Sequence, residues 1–221
     1  MAVITISRQT GSGGDEIAER VCDLLGYRRF DKQMMVEAAA AAGLCEAEVV
    51  DYSEDHYKVQ DFLSRLLRSR PRTVRQVLIR EDAHKLIDTL TARELDEARC
   101  VDLIRYAIIS AYEQGDMVIV GRGGQAVLRH KPGVLHVRVI APLEERIQRL
   151  REQGVSGVSE LKLTIADRDR ASAEYLKRYF NISWDDPALY HMILNTGLLD
   201  LDAAAGIIAG AVEHLAAAAA A

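Results

Sequence analysis

The segment from Val3 to Gly26 constrains the fold more than any other stretch of this 221-residue chain. A β-branched run of Val3, Ile4 and Ile6 leads into Ser7-Arg8-Gln9-Thr10-Gly11-Ser12-Gly13-Gly14-Asp15-Glu16. Ile17, Ala18, Val21, Leu24 and Leu25 then recur at helical spacing, and Gly26 stands where a helix end needs a positive φ. Asp15 and Glu16 fall in the first helical turn, where carboxylates favour the dipole. Gly11, Gly13 and Gly14 allow a tight turn whose backbone N–H groups point inward beside a helix N-terminus. Such a turn is an anion nest.

The rest of the chain repeats the alternation of short apolar runs with helical stretches. Arg28-Arg29-Phe30, Met117 to Val120, Leu135 to Ile140 and Met192 to Leu194 read as further strands. Residues 32–114 are helical in character, with a periodic helix from about Val101. Pro142 predicts a helix start at its first position, continued by Leu143, Ile147 and Leu150 and interrupted by Gly154 and Gly157. A charged helix carries Asp167-Arg168-Asp169-Arg170, and a closing helix is capped near Asp200. Without hairpin signals, this pattern predicts about five parallel strands covered by helices. Ligands of such a sheet bind at the carboxyl ends of its strands.

Composition removes several alternatives. An apolar share of 49% excludes a disordered chain. The longest uncharged apolar stretch, Ala203 to Val212, is about half of the roughly twenty residues a membrane span needs. Met1 to Ser7 has no basic leader character, so a cytoplasmic protein is expected. A net charge of −5 argues against a nucleic-acid-coating surface. Cys22, Cys45 and Cys100 have neither disulfide nor zinc spacing and read as packed thiols. The arginines at 65, 68, 70, 72, 75 and 80 read either as a solvated helix face or as a phosphate-facing or partner-facing lobe.

Laid on the phosphate-loop pattern G-x-x-x-x-G-K-[ST], the opening turn puts Arg8 at the first glycine and matches Gly13. It puts Gly14 at the lysine and Asp15 at the hydroxyl. Arg8 is the nearest cation that could replace the lysine, although guanidinium and ammonium present charge differently. Asp15 and Glu16 place negative charge beside the nest, a cost unless a metal bridges them; they are the weak metal candidates. Arg122, in Gly121-Arg122-Gly123-Gly124 after the third expected strand, is placed to fork onto a phosphate or carboxylate. Arg168 and Arg170 belong either to a helix laced with ion pairs or to a lid that closes on phosphates, with Gly154 and Gly157 as hinges.

These residues together resemble the nucleoside monophosphate kinases, and most closely the cytidylate kinase-like group. Gly11-Ser12-Gly13 matches the kinase loop G-S-G-K-G-T up to its lysine, and Gly121-Arg122 matches the G-R of G-R-D-x-G-T. Ala141-Pro142-Leu143-Glu144-Glu145-Arg146 resembles the step before the lid, and Asp167 to Arg170 the D-R-D-R lid run. Leu194-Asn195-Thr196 resembles the last strand and its turn. Gly14 and Glu16 depart from the loop's lysine and threonine, Gly123 from the acceptor-site aspartate, and Ser172 from a further lid arginine. The opening I-S-R-x-x-G-S-G-G and Trp184-Asp185-Asp186-Pro187-Ala188-Leu189-Tyr190 resemble a divergent branch of the group.

The resemblance implies an α/β, P-loop NTPase-like three-layer sandwich: one domain over 1–215, a helical acceptor-binding insert over 32–100, a lid region over 154–180 and an Ala-rich tail over 216–221. It implies ATP as donor and Mg²⁺ as cofactor. Gly11, Ser12, Gly13 and Gly14 would cradle donor phosphates, Arg122 and Asp31 would serve the acceptor, and Arg8, Arg168 and Arg170 would act on the transferring group. Small nucleotides are the expected partners, and the apolar insert is compatible with a homodimer. The expected function is phosphoryl transfer to a nucleoside monophosphate or a related phosphate-bearing acceptor. The alternatives are a nucleotide-binding sensor that has lost transfer, which Gly14 and Glu16 favour in place of the lysine and threonine, and a helical scaffold on an inert α/β core.

Overall fold

Five short apolar runs form one all-parallel sheet in a computed structural model that describes residues 2–30, 34, 101–154 and 157–218. The strands are β1 (Val3–Arg8), β2 (Arg28–Arg29), β3 (Met117–Val120), β4 (Val134–Ile140) and β5 (Met192–Asn195). Their spatial order is β2-β3-β1-β4-β5. The chain therefore lays β2 and β3 on one side of β1, then β4 and β5 on the other. The loop after β1 sits at the point where that direction reverses, which is where an open α/β sheet forms its crevice.

Alternation along the strands sends apolar side chains to both faces. Ile4, Ile6, Val137 and Val139 meet Ile17 and Val21 of α1 (Gly14–Leu25) and Ala204 and Ile208 of the last helix. Val3, Met117, Ile119 and Val134 meet Leu103, Ile104 and Ile108 of α2, the helical residues 101–114. Both faces are covered, so the polar side chains Thr5 and Ser7 of β1 and His136 and Arg138 of β4 are buried along with the apolar ones. The α/β class and the sheet of five parallel strands stand as expected.

The remaining helices are α3 (Gly124–Val127), α4 (Leu143–Glu152), α5 (Val158–Phe180) and α6 (Leu201–Ala218). Gly26 ends α1 in the left-handed conformation at φ 67°. Asp200 caps α6, its carboxylate accepting from the Ala203 N–H at 2.7 Å, and Ala216 to Ala218 continue that helix. Pro142 precedes the first helical residue, because its extended ψ of 148° leaves Leu143 to begin α4. The single turn of α3 was not legible in the sequence, since Gly123 and Gly124 there read as loop. The acceptor insert apart from Met34, the basic cluster, Asp31, Cys45 and Cys100 lie outside the described residues. Cys22 is half-buried, and burial raises its thiol pKa.

The Trp184 to Tyr190 stretch has a structural task in this frame. Arg138 projects from β4 and donates to the Trp184 carbonyl at 2.8 Å, stacks on the indole at 4.3 Å and pairs with Asp185. The Trp184 Nε1–H donates to Ser7 Oγ at 2.7 Å. The segment after α5 is thereby tied to the residue immediately before Arg8.

Candidate phosphate-binding site

The loop between β1 and α1 is held open by its own backbone. Gly11 and Gly13 both adopt positive φ, at 78° and 80°, which side chains rarely tolerate. A Cβ on Gly11 would lie 2.8 Å from the Arg146 carbonyl oxygen, and one on Gly13 2.6 Å from Leu201. Ser12 donates through both its N–H and its hydroxyl to the Gln9 carbonyl, at 3.1 and 2.8 Å. From below, Thr196 after β5 donates its hydroxyl to the Ser12 carbonyl at 2.7 Å and is itself held by Arg149. These bonds engage the Ser12 N–H and hydroxyl and the Gln9 and Ser12 carbonyls, and the loop borders the space at the N-terminus of α1.

That space is a cleft of about 210 Å³, lined by Arg8 to Glu16, Leu150, Gln153, Arg168 and Ser172. Arg8 crosses its floor. A Cβ on Gly14 would lie 2.5 Å from Arg8 Cβ and 2.9 Å from its Cγ, so residue 14 can carry no side chain while Arg8 lies there. The absence of a lysine and the presence of this arginine are one arrangement. Arg8 Nε donates to Asp15 Oδ2 at 3.1 Å, and Arg29, at the end of β2, reaches Asp15 Oδ1 at 2.6 Å. Two guanidiniums thus offset the carboxylate that threatened to repel a polyphosphate. Glu16 accepts from Gln153 at 2.7 Å. Asp15 and Glu16 are therefore both engaged, and no group of three metal-ligating side chains occurs among the described residues.

The charged run on α5 divides by helical phase. Arg168 and Arg170 are both exposed, but Arg168 lines the cleft, with no ion pair among the described residues, and Arg170 lies outside it. Asp169, between them, accepts from the Thr10 N–H at 2.9 Å and pairs with Arg146 of α4. Arg122 adopts a left-handed conformation at φ 57° and lies over the Phe30 ring at 5.1 Å, also outside the cleft. The structure therefore joins Arg8, Gly11 to Gly14, Asp15, Glu16 and Arg168 in one site. Arg29, Arg146 and Asp169 were not expected there. Arg146 did stand in the Ala141 to Arg146 segment, but nothing in the sequence paired it with Asp169.

A family model described as the cytidylate kinase-like family matches residues 3–198. The chain belongs to the cytidylate kinase-like family. A cytidylate kinase of Thermococcus sibiricus is 31% identical over 216 residues, which cover 96% of this chain and 89% of that relative. A cytidylate kinase of Methanocaldococcus jannaschii is 23% identical over 218 residues, covering 96% and 98%. A crystal structure of an Eubacterium ventriosum protein has the same fold, with a TM-score of 0.62 at 18% identity, covering 96% of this chain and 99% of that one. This cytidylate kinase-like chain carries Gly14, with Arg8 across it, in its loop. No helix among its described residues is long and apolar enough to cross a membrane.

Proposed function

We propose that this protein transfers the terminal phosphoryl group of ATP to a nucleoside monophosphate or a related small phosphate-bearing acceptor. The observation that carries this reading is that Arg8 and Arg168 line one cleft with the glycine loop at the N-terminus of α1. Family membership supplies the reaction class, since the relatives it matches are named cytidylate kinases.

Phosphoryl transfer asks little covalent chemistry of a protein and much positioning and charge neutralisation. The bond between the terminal phosphorus and its bridging oxygen breaks as a bond to an acceptor phosphate oxygen forms. The loop amides and the helix N-terminus hold the donor phosphates. Arg8 takes the lysine's part from the other end of the loop. Arg168, facing the cleft from α5, meets charge on the equatorial oxygens of the transferring group. Arg122 and Asp31 serve the acceptor. A divalent cation would neutralise nucleotide oxygens. The engaged Asp15 and Glu16 do not form a ready protein-held site for it, so no step here runs through Mg²⁺.

A second reading, a nucleotide-binding sensor without transfer, is favoured by Gly14 and Glu16. Incubation with ATP, Mg²⁺ and a panel of nucleoside monophosphates, with diphosphates quantified, separates the two. One diphosphate formed well above the no-enzyme control supports the kinase. Saturable ATP binding without product selects the sensor.

A further inference from the structure

We infer that Asp169 is a positioning residue that sets the rotational phase of α5 and thereby keeps Arg168 aimed at the phosphate loop. This rests on the phosphate-binding reading of the cleft and assigns to that site a residue nothing else there implies.

Asp169 ends a stripe of residues along α5. Leu161, Ile165 and Asp169 recur every fourth residue and share one face of α5. Leu161 and Ile165 are buried against Ile147, with Leu143 and Leu150 of α4 packed around them. An apolar stripe resists sliding along the helix poorly, because hydrophobic contact has no direction. Asp169 ends the stripe with bonds that do. One carboxylate oxygen accepts from the Thr10 N–H at 2.9 Å, and the other pairs with Arg146 Nη1. The same Arg146 nitrogen donates to the Thr10 carbonyl at 3.3 Å. Thr10 is gripped at both its N–H and its carbonyl, so α4, α5 and the loop are locked together at a single residue.

Neighbouring residues of an α-helix point about 100° apart. With Asp169 fixed on the loop, Arg168 turns to one flank and Arg170 to the other. The flank of Arg168 is the cleft, shared with Ser172 four residues on, while Arg170 faces solvent. A rotation of one residue position would exchange an arginine for an aspartate at the phosphates. The Asp169 carboxylate sits beside an anion site without opposing it, because Arg146, 8% exposed, neutralises it from within.

The test is a double-mutant cycle on ATP affinity, measured by titration calorimetry without an acceptor. The proteins are wild type, Arg168→Ala, Asp169→Asn and the double variant. The Asp169→Asn change keeps an acceptor for the Thr10 N–H and loses the ion pair. Arg146→Gln removes the same pair from the other side and serves if Asp169→Asn does not fold. Each single change is expected to weaken ATP binding about tenfold, and the double variant to bind no more weakly than either. A hundredfold additive loss, or unchanged affinity in Asp169→Asn and Arg146→Gln, overturns the inference, because a merely structural clamp would not couple to Arg168. A wild-type protein that binds no ATP overturns the phosphate-site reading and this inference together, an outcome distinct from binding with an additive cycle.

Discussion

Arg8 lies across Gly14, its Cβ only 2.5 Å from where a Cβ on residue 14 would stand. The contact involves carbons next to both backbones, so no rotation of the guanidinium relieves it. The two positions correspond to the first glycine and the lysine of the usual phosphate loop, and in this chain the first carries a guanidinium and the second no side chain.

The loop should therefore reject a lysine unless Arg8 is removed. Gly14→Ala is expected to lose about 1–3 kcal/mol of stability from overpacking. Arg8→Gly in the same background should recover most of that loss, and Arg8→Gly/Gly14→Lys should fold and bind ATP. Thermal unfolding of the three proteins checks this. Equal loss in single and double variants would mean the clash is not what excludes a side chain at 14.

Asp15 stands between Arg8 and Arg29, and its charge is tolerated because both are present. Arg29→Ala should weaken ATP binding about three- to tenfold, the modest size reflecting partly exposed partners. Adding Asp15→Asn should restore it, since the uncompensated charge is then gone. Affinity titrations that show no restoration would assign Arg29 some other part.

Stability should fall with acid through His136. It is buried on β4, its Nδ1 is 2.7 Å from Thr5 Oγ1, and its ring stacks on His191 at 5.2 Å. Burial first, and the charge of His191 second, push its pKa down to about 4, against a backbone hydrogen bond with Leu128. The folded value lies below the ordinary 6.5, so the contribution is complete above pH 6.5 and is lost as the pH falls toward 4. The full loss is about 3 kcal/mol, at roughly 1.4 kcal/mol for each pH unit. Urea unfolding of wild type and His136→Gln between about pH 7.5 and 4 should show the gap between them closing by that amount; parallel curves would contradict it.

Trp184→Phe removes the donor that serves Ser7 Oγ while keeping an aromatic ring on Arg138. The expected cost is about 1 kcal/mol, because the Ser7 hydroxyl loses its closer donor and keeps only the Tyr190 hydroxyl at 3.4 Å. Chemical denaturation with an unchanged midpoint would show that this bond contributes nothing net.

The strands were legible because their apolar, β-branched residues serve two covered faces, and the loop because glycines and an anion nest go together. Arg8 could be nominated from spacing alone. Its contact with Gly14 could not, since that depends on how β1 enters α1. Asp169 was hidden for a similar reason. Its position within Asp167 to Arg170 suggested pairs along one helix, but its partner is Arg146, on another helix and 23 residues away. Pro142 was displaced by one position because a proline's fixed φ suits both the residue before a helix and its first residue, and only ψ separates the two.

An arginine at the start of the loop is expected to support phosphoryl transfer where the lysine is missing. Single-turnover transfer from γ-labelled ATP to the preferred nucleoside monophosphate should be measured for wild type and Arg8→Ala. Measurable transfer by the wild type, reduced about a hundredfold or more in Arg8→Ala, is the result this account predicts. Equal rates in the two proteins, or ATP bound by the wild type with no label transferred, would contradict it.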